Sequence, residues 1–161
     1  SFNSENLKMG NAAVDNADID FSLVNLTVHP GEKFRESANE VDLSSAEIII
    51  SVGRGIGKEE NIPLVKKLAE KLNAQIAASR PVVDSGWLDH SRQVGSSGQV
   101  VSPKLYFSIG ISGAIQHLVG MKGSKNIIAI NKDPNAPIFE IADYAVIGDL
   151  FEILPKLTEQ L

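Results

Sequence analysis

The chain has 161 residues, 43% of them hydrophobic and 22% charged, which suits one globular domain with a real core plus some additional chain. A formal net charge of −5 argues against a broad nucleic-acid-binding surface, and no apolar run approaches the ~18 residues a membrane-spanning helix needs. The absence of cysteine excludes disulfides, thiolate nucleophiles and thiolate metal sites, and the three histidines, His29, His90 and His117, share no ligand spacing that would suggest zinc.

No signal-peptide pattern is present, and a start at Ser1 without Met predicts a processed or partial chain. Ser1 to Asp18 is polar and weakly patterned, as expected of a linker or frayed terminus. Ile19, Phe21 and Leu23 alternate, and Val24, Leu26 and Val28 continue with a phase slip, predicting one extended strand with a bulge. His29-Pro30-Gly31 then turns the chain. Glu32 to Asp42 is charged and fits a short helix or a loop equally.

From Ala46 the character changes. Ile48, Ile49, Ile50 and Val52 form the β-branched run of a strand buried on both faces, ended by Gly53-Arg54-Gly55-Ile56-Gly57. Ile62, Val65, Leu68, Ala69 and Leu72 recur at helical spacing, with Asn73 as the stop. Strands follow at Gln75 to Ala78, Leu105 to Ile109, Asn126 to Ile130 and Tyr144 to Ile147, with a further short one expected at Gln99 to Val101. Between Ile109 and the next strand, glycines at 110 and 113 lead into a helix that begins near Ala114, with Ile115, Leu118 and Val119 as its first apolar residues. Asp149 can cap the terminal apolar stretch, and Pro155 is expected to break it into two short helical pieces. This alternation predicts an α/β fold: a Rossmann-like, doubly wound, mostly parallel sheet with helices on both faces, three layers in all.

In such sheets ligands bind outside the carboxyl ends of the strands, near the switch in strand order. Arg54, Ser79, Arg80, Ser112 to His117, Asn131 to Asp133 and Asp149 all fall there. A strand emptying through glycine and serine into a helix start suits an anion or a nucleotide. Gly53 to Gly57 is GxGxG, with Lys58 where a dinucleotide fingerprint needs its third glycine, and Ser79-Arg80 stands where the ribose-binding acid belongs. A tight turn with a solvated Arg54 explains it equally well. Gly110-Ile111-Ser112-Gly113-Ala114 lacks the last glycine of a nucleophile elbow, so Ser112 reads as a phosphate donor and not as a nucleophile. Arg80, biased toward extended backbone by Pro81, either reaches into the crevice or forms a surface ion pair. His117 is either a packing residue or a donor to a ring carbonyl. Gln93 to Gly98 is either a plain connection or a small-residue loop against a cofactor.

Several long segments occur in one order: SVGRGIG, AASRPVVDSGW, RQVGSSGQVVSPKLYFSIGISGAIQH, INKDPNAPIFEIADYAVIGDL and the LPKLT ending. Together they resemble the C-terminal, cofactor-binding domain of the electron-transfer flavoprotein α subunit. The resemblance implies a division into residues 1–40, a linker and the tail of a preceding domain, and residues 41–161, an FAD-binding domain. It implies that Arg54, Ser112, Gly113 and Gln116 surround the pyrophosphate and ribityl chain, with Ile111 in the same set. Ser79 and Arg80 would approach the isoalloxazine, Gln93, Val94, Gly95, Ser97 and Gly98 its reactive edge, and His117 its pyrimidine carbonyl. Asn131, Lys132, Asp149 and Leu150 would hold the adenosine end. Ser97 stands where many members carry threonine, keeping the hydroxyl and losing a methyl.

The implied function is electron transport without a substrate reaction of its own: FAD accepts electrons from flavin dehydrogenases, including those of fatty acid β-oxidation, and passes them to a quinone-linked acceptor. The implied partner is the family's β subunit in a heterodimer, with no nucleic acid and no membrane insertion. The implied location is a bacterial or archaeal cytoplasm, or a mitochondrial matrix. The competing reading is a non-redox module that binds adenine nucleotide structurally, as the related β subunit does; an NAD-dependent enzyme lacks its fingerprint.

Overall fold

The computed structural model describes residues 41–161. The strand expected between Ile19 and Val28, the turn at His29-Pro30-Gly31 and the assignment of residues 1–40 lie outside the described residues. The β-branched run becomes β1 (Ile48–Val52), followed by β2 (Gln75–Ala78), β3 (Leu105–Ile109), β4 (Ile127–Asn131) and β5 (Tyr144–Ile147). All pair in parallel, in the order β2-β1-β3-β4-β5. The helices are α1 (Ile62–Leu72), α2 (Arg80–Asp84), α3 (Ile115–Met121) and α4 (Leu150–Gln160).

Two cores explain why the central strands are apolar on both faces. On one face Ile50, Val52, Phe107, Ile109 and Ile130 pack with Val65 and Leu68 of α1 and Leu150 and Leu154 of α4. On the other, Ile49, Tyr106, Ile127 and Ala129 pack with Met121 of α3, Ile138 and Val94. Burying a side chain of this size is worth roughly 1.5–3 kcal/mol, so neither face can be left uncovered. The expected doubly wound, three-layer α/β architecture is thus the one observed. Asn73 ends α1 in the left-handed conformation (φ 50°, ψ 42°), as expected.

Five local expectations are corrected. The segment Gln99 to Val101 is no strand; it makes a single isolated bridge between Val94 and Gln99. The strand at Asn126 is shifted by one residue and runs from Ile127 to Asn131. Pro155 does not divide the last helix: α4 runs unbroken through it. The bond it forfeits is to the carbonyl of Phe151, a partly exposed first-turn residue whose carbonyl water can reach, while Leu150 and Leu154 anchor the helix to the core. Arg80 is not extended but opens α2, with Ser79 as the extended N-cap (φ −78°, ψ 156°) and Pro81 in the first turn, where its missing N–H costs nothing. Finally, Ala114 caps α3 rather than entering it, and the helix buries His117, Gly120 and Met121. Ile115, expected in its apolar face, is 75% exposed.

Candidate functional site

In the order β2-β1-β3-β4-β5 the chain leaves β1 in one direction and β3 in the other, so the crevice at their carboxyl ends has no crossover filling it. Two glycines bring the loops after β1 and β3 together. Gly53 N–H donates to the Ile109 carbonyl (2.8 Å) and Gly55 N–H to the Gly110 carbonyl (2.9 Å). Gly110 turns at φ 62°, and a Cβ on Gly55 would meet its Cα at 2.7 Å. The first two glycines of GxGxG therefore mark a close packing of two backbones, while Gly57 meets only the Asn61 side chain.

Around this junction opens a cavity of about 760 Å³, within the ~300–1,000 Å³ of ordinary small-molecule sites. Four of the five strand ends contribute to its wall: Arg54 and Gly55 after β1, Ser79 and Arg80 after β2, Gly110, Ile111 and Ser112 after β3, and Asn131 and Lys132 at the end of β4. The loop before β3 adds Gln93, Val94, Gly95, Ser96 and Ser97, and α3 adds Gln116 and His117 beside its cap Ala114. That loop is held on α3 by the bond from Ser96 N–H to the Gln116 carbonyl (2.7 Å) and by the closeness of Gly120 to Gly95. Gln93, buried, donates from Nε2 to Ser97 Oγ (3.0 Å) and keeps that hydroxyl at the wall.

The wall is electrostatically one-sided. Arg54, Arg80 and Lys132 line it, and among the described residues no carboxylate does, although the chain carries a net charge of −5. Arg80 also meets an acid: Asp84 Oδ2 lies 3.3 Å from its Nε at i,i+4 on α2, an exposed pair worth little in stability. Asn131 is fixed by donating from Nδ2 to the Ile111 carbonyl (2.8 Å) and accepting at Oδ1 from Asp133 N–H (3.0 Å).

His117 is the one wall residue with a buried titratable ring, 6% exposed. Its Nε2 lies 3.0 Å from the Tyr106 hydroxyl, and its Nδ1 has no hydrogen-bond partner among the described residues. Burial pulls its pKa down to about 4, with the Val94 backbone opposing weakly, so the ring is neutral at pH 7. Burial also raises the Tyr106 phenol far above the usual tyrosine range, opposed by the Ser51 hydroxyl. Tyr106 is thus a protonated phenol throughout the physiological range.

Of the residues that the family resemblance places at the cofactor, four stand outside the wall, as do Ile115 and Asp133 of the wider strand-end set. Gly98 packs under its own loop, where a Cβ would lie 2.3 Å from the Gln93 carbonyl oxygen. Gly113, at φ 93°, packs against the backbone of Ile138. Asp149 caps α4 by accepting from Phe151 N–H (2.8 Å), and Leu150 is buried in the α1–α4 core. Conversely, Gly55, Pro81 and Gly110 line the cavity without having been expected there, and Ser96 and Ala114 line it from within segments that were. Each adjoins an expected residue in sequence, and adjacency at a strand end was the available signal. Among the described residues no group of three His, Asp or Glu side chains could hold a metal, and no helix is long and apolar enough to cross a membrane.

Comparison with known proteins agrees with this geometry. A family model described as the electron transfer flavoprotein FAD-binding domain matches residues 42–122. The electron transfer flavoprotein subunit alpha of Bacillus subtilis is 51% identical over 142 residues, 88% of this chain and 44% of that protein. The subunit alpha of Paracoccus denitrificans is 55% identical over 120 residues, 74% of this chain and 39% of its own. The mitochondrial subunit alpha of Arabidopsis thaliana is 43% identical over 159 residues, 99% and 44% respectively. The chain spans less than half the length of each of these relatives. With a family match across half the chain and relatives this similar in both bacteria and mitochondria, the chain belongs to the electron transfer flavoprotein α-subunit family.

Proposed function

We propose that the strand-end cavity binds FAD and that the chain, joined to a β subunit, carries electrons from flavin dehydrogenases to a quinone-linked acceptor, with no substrate reaction of its own. The observation that carries the reading is the wall itself: three cations and, among the described residues, no carboxylate, at the meeting of the strand ends. An anionic diphosphate joined to a planar ring with hydrogen-bond acceptors matches that set.

Bound flavin supplies reversible uptake of one or two electrons. The chain's residues bind and tune it. Arg54 and Lys132 offer charge-assisted contacts to phosphate, with Ser112 as a neutral donor between them along the wall. Arg80 adds positive charge beside any negative charge that develops on the ring. His117 offers a hydrogen-bond donor without a net charge, because its ring is neutral. Val94 and Ile111 supply apolar wall that keeps water from the ring. Gly98, Gly113, Asp149 and Leu150 contribute through the folding of these loops.

The test is an absorbance spectrum of the purified chain before and after adding FAD and desalting, repeated with the β subunit. Flavin bands that survive desalting support the reading. A colourless complex of β subunit and full-length α chain overturns it in favour of a structural adenine-nucleotide module.

A further inference from the structure

Asn131 reaches the cavity wall with both ends of its amide engaged, and its two partners fix which end is which. Only a nitrogen can donate to the Ile111 carbonyl (2.8 Å), and only an oxygen can accept from Asp133 N–H (3.0 Å). The turn after β4 is itself tied down: the Asp133 carboxylate accepts from Asn135 N–H (3.0 Å) and its carbonyl from Ala136 N–H (3.2 Å). Asn131 therefore stands on a fixed base and holds a backbone carbonyl of the loop after β3, twenty residues earlier in the chain.

The next carbonyl is held as well. Ser112 C=O accepts from Ile138 N–H (3.0 Å), and Gly113, at φ 93°, permits the contact, since a Cβ there would lie 2.2 Å from the Ile138 nitrogen. A trans peptide points its C=O and its N–H in opposite directions. With the Ile111 carbonyl drawn to Asn131 at the end of β4, the N–H of the same peptide, that of Ser112, is turned away from β4. In the order β1-β3-β4 that is the side of the crevice where Arg54 and Gly55 stand. Ser112 is exposed and lines the cavity, and its N–H has no acceptor among the described residues.

We infer that Asn131 is a positioning residue: by holding the Ile111 carbonyl it aims the Ser112 N–H at an anionic oxygen of the bound ligand. This rests on reading the cavity as a diphosphate site, a group that FAD and an adenine nucleotide share. The family resemblance gives Asn131 to the adenosine end; its hydrogen bonds give its side chain to the loop that meets the diphosphate. A donor whose direction is set before the ligand arrives needs no ordering at the moment of binding.

The test is residue-resolved hydrogen exchange of the chain in complex with the β subunit, with FAD and, separately, with ADP. In the wild type, saturating FAD should slow the Ser112 amide by about tenfold or more, because the ligand supplies the acceptor that the fold leaves out. An amide that bound FAD leaves unchanged overturns the proposal without any variant having to fold. Asn131→Ala should bind FAD about tenfold more weakly, the lower end of the worth of one hydrogen bond to a charged group. At saturating FAD the variant's Ser112 amide should have lost most of its protection. Full protection there would mean that Asn131 does not aim the loop, and it overturns the proposal. A wild-type complex that holds no flavin, yet in which ADP slows the Ser112 amide, overturns the flavin reading and leaves the role of Asn131 standing. If neither ligand slows it, the proposal falls.

Discussion

Gly53 and Gly110 are in backbone contact: a Cβ on Gly53 would stand 2.2 Å from the Gly110 carbonyl oxygen. The obstacle is backbone on both sides, so no side chain can move aside. Gly53→Ala should destabilise the protein by about 3 kcal/mol, the upper end of ordinary overpacking. It should also open the β1–β3 junction that floors the cavity. Gly57→Ala is the contrast: it strains a positive φ (82°) but meets only the Asn61 side chain, at 3.8 Å, and should cost less and spare the cavity. Urea unfolding midpoints of the two variants measure the difference.

Arg80 is shared between the cavity wall and Asp84. If it stabilises negative charge on a bound flavin, Arg80→Ala lowers the reduction potential, and Asp84→Asn raises it by removing a competing carboxylate. The effect should be on the order of 1 kcal/mol in each direction, because both side chains are well exposed and screened. A redox titration of the flavin-loaded complex that shows both variants at the wild-type potential would remove Arg80 from the tuning role.

His117 makes stability depend on pH. Its folded value, about 4, lies below the ordinary 6.5, so the unfolded chain binds the proton first as pH falls. The protein is therefore at full strength from this residue above pH 6.5. It loses stability progressively down to pH 4 and nothing further below that, a total of about 3 kcal/mol. His117→Gln should remove this dependence. Subtracting the variant's denaturation midpoints from the wild-type's, at pH 7 and pH 4.5, isolates the histidine from the carboxylates common to both.

Gln99 ties the cavity loop to the start of the domain. Its Nε2 donates to the carbonyls of Val41 (2.7 Å) and Ser91, and its Oε1 accepts from Leu43 N–H (3.0 Å). Gln99→Ala leaves three backbone groups without partners and should cost about 2 kcal/mol. Hydrogen exchange should quicken at Val94 and Ser96, whose N–H groups bond to Ala78 and Gln116 as the loop crosses from β2 to α3. Unchanged exchange there would mean that α3 alone holds the loop.

The strands were legible because a doubly covered parallel sheet needs unbroken β-branched runs, and Ile48 to Val52 and Ile127 to Ile130 supply them. The wall residues were legible because strand ends converge in such sheets. What escaped depends on register and on neighbours distant in sequence. Tyr106 reads as one more apolar residue in a buried strand, and only the packing of α3 across β3 reveals its partner eleven positions on. Pro155 looks like a breaker until Leu150 and Leu154 are seen anchoring the helix around it. Gly113 and Gly98 look like ligand-facing glycines; the first lies against the backbone of Ile138, twenty-five positions on, and the second against Gln93 in its own loop.

The pairing of β1 with β3 aligns Ile48 with Leu105, so α1, β2, α2 and the cavity loop lie in the chain between the two strands that floor the site. Closing a loop of that length costs about 4 kcal/mol of chain entropy before any pairing energy returns. The crevice is therefore expected to form only once that closure has been made, late in folding. A ligand that recognises the finished crevice has nothing to bind on the way up the barrier. It should leave the folding rate unchanged and slow unfolding in proportion to its affinity, so the loaded protein owes its lifetime to a slow exit rather than a fast entry.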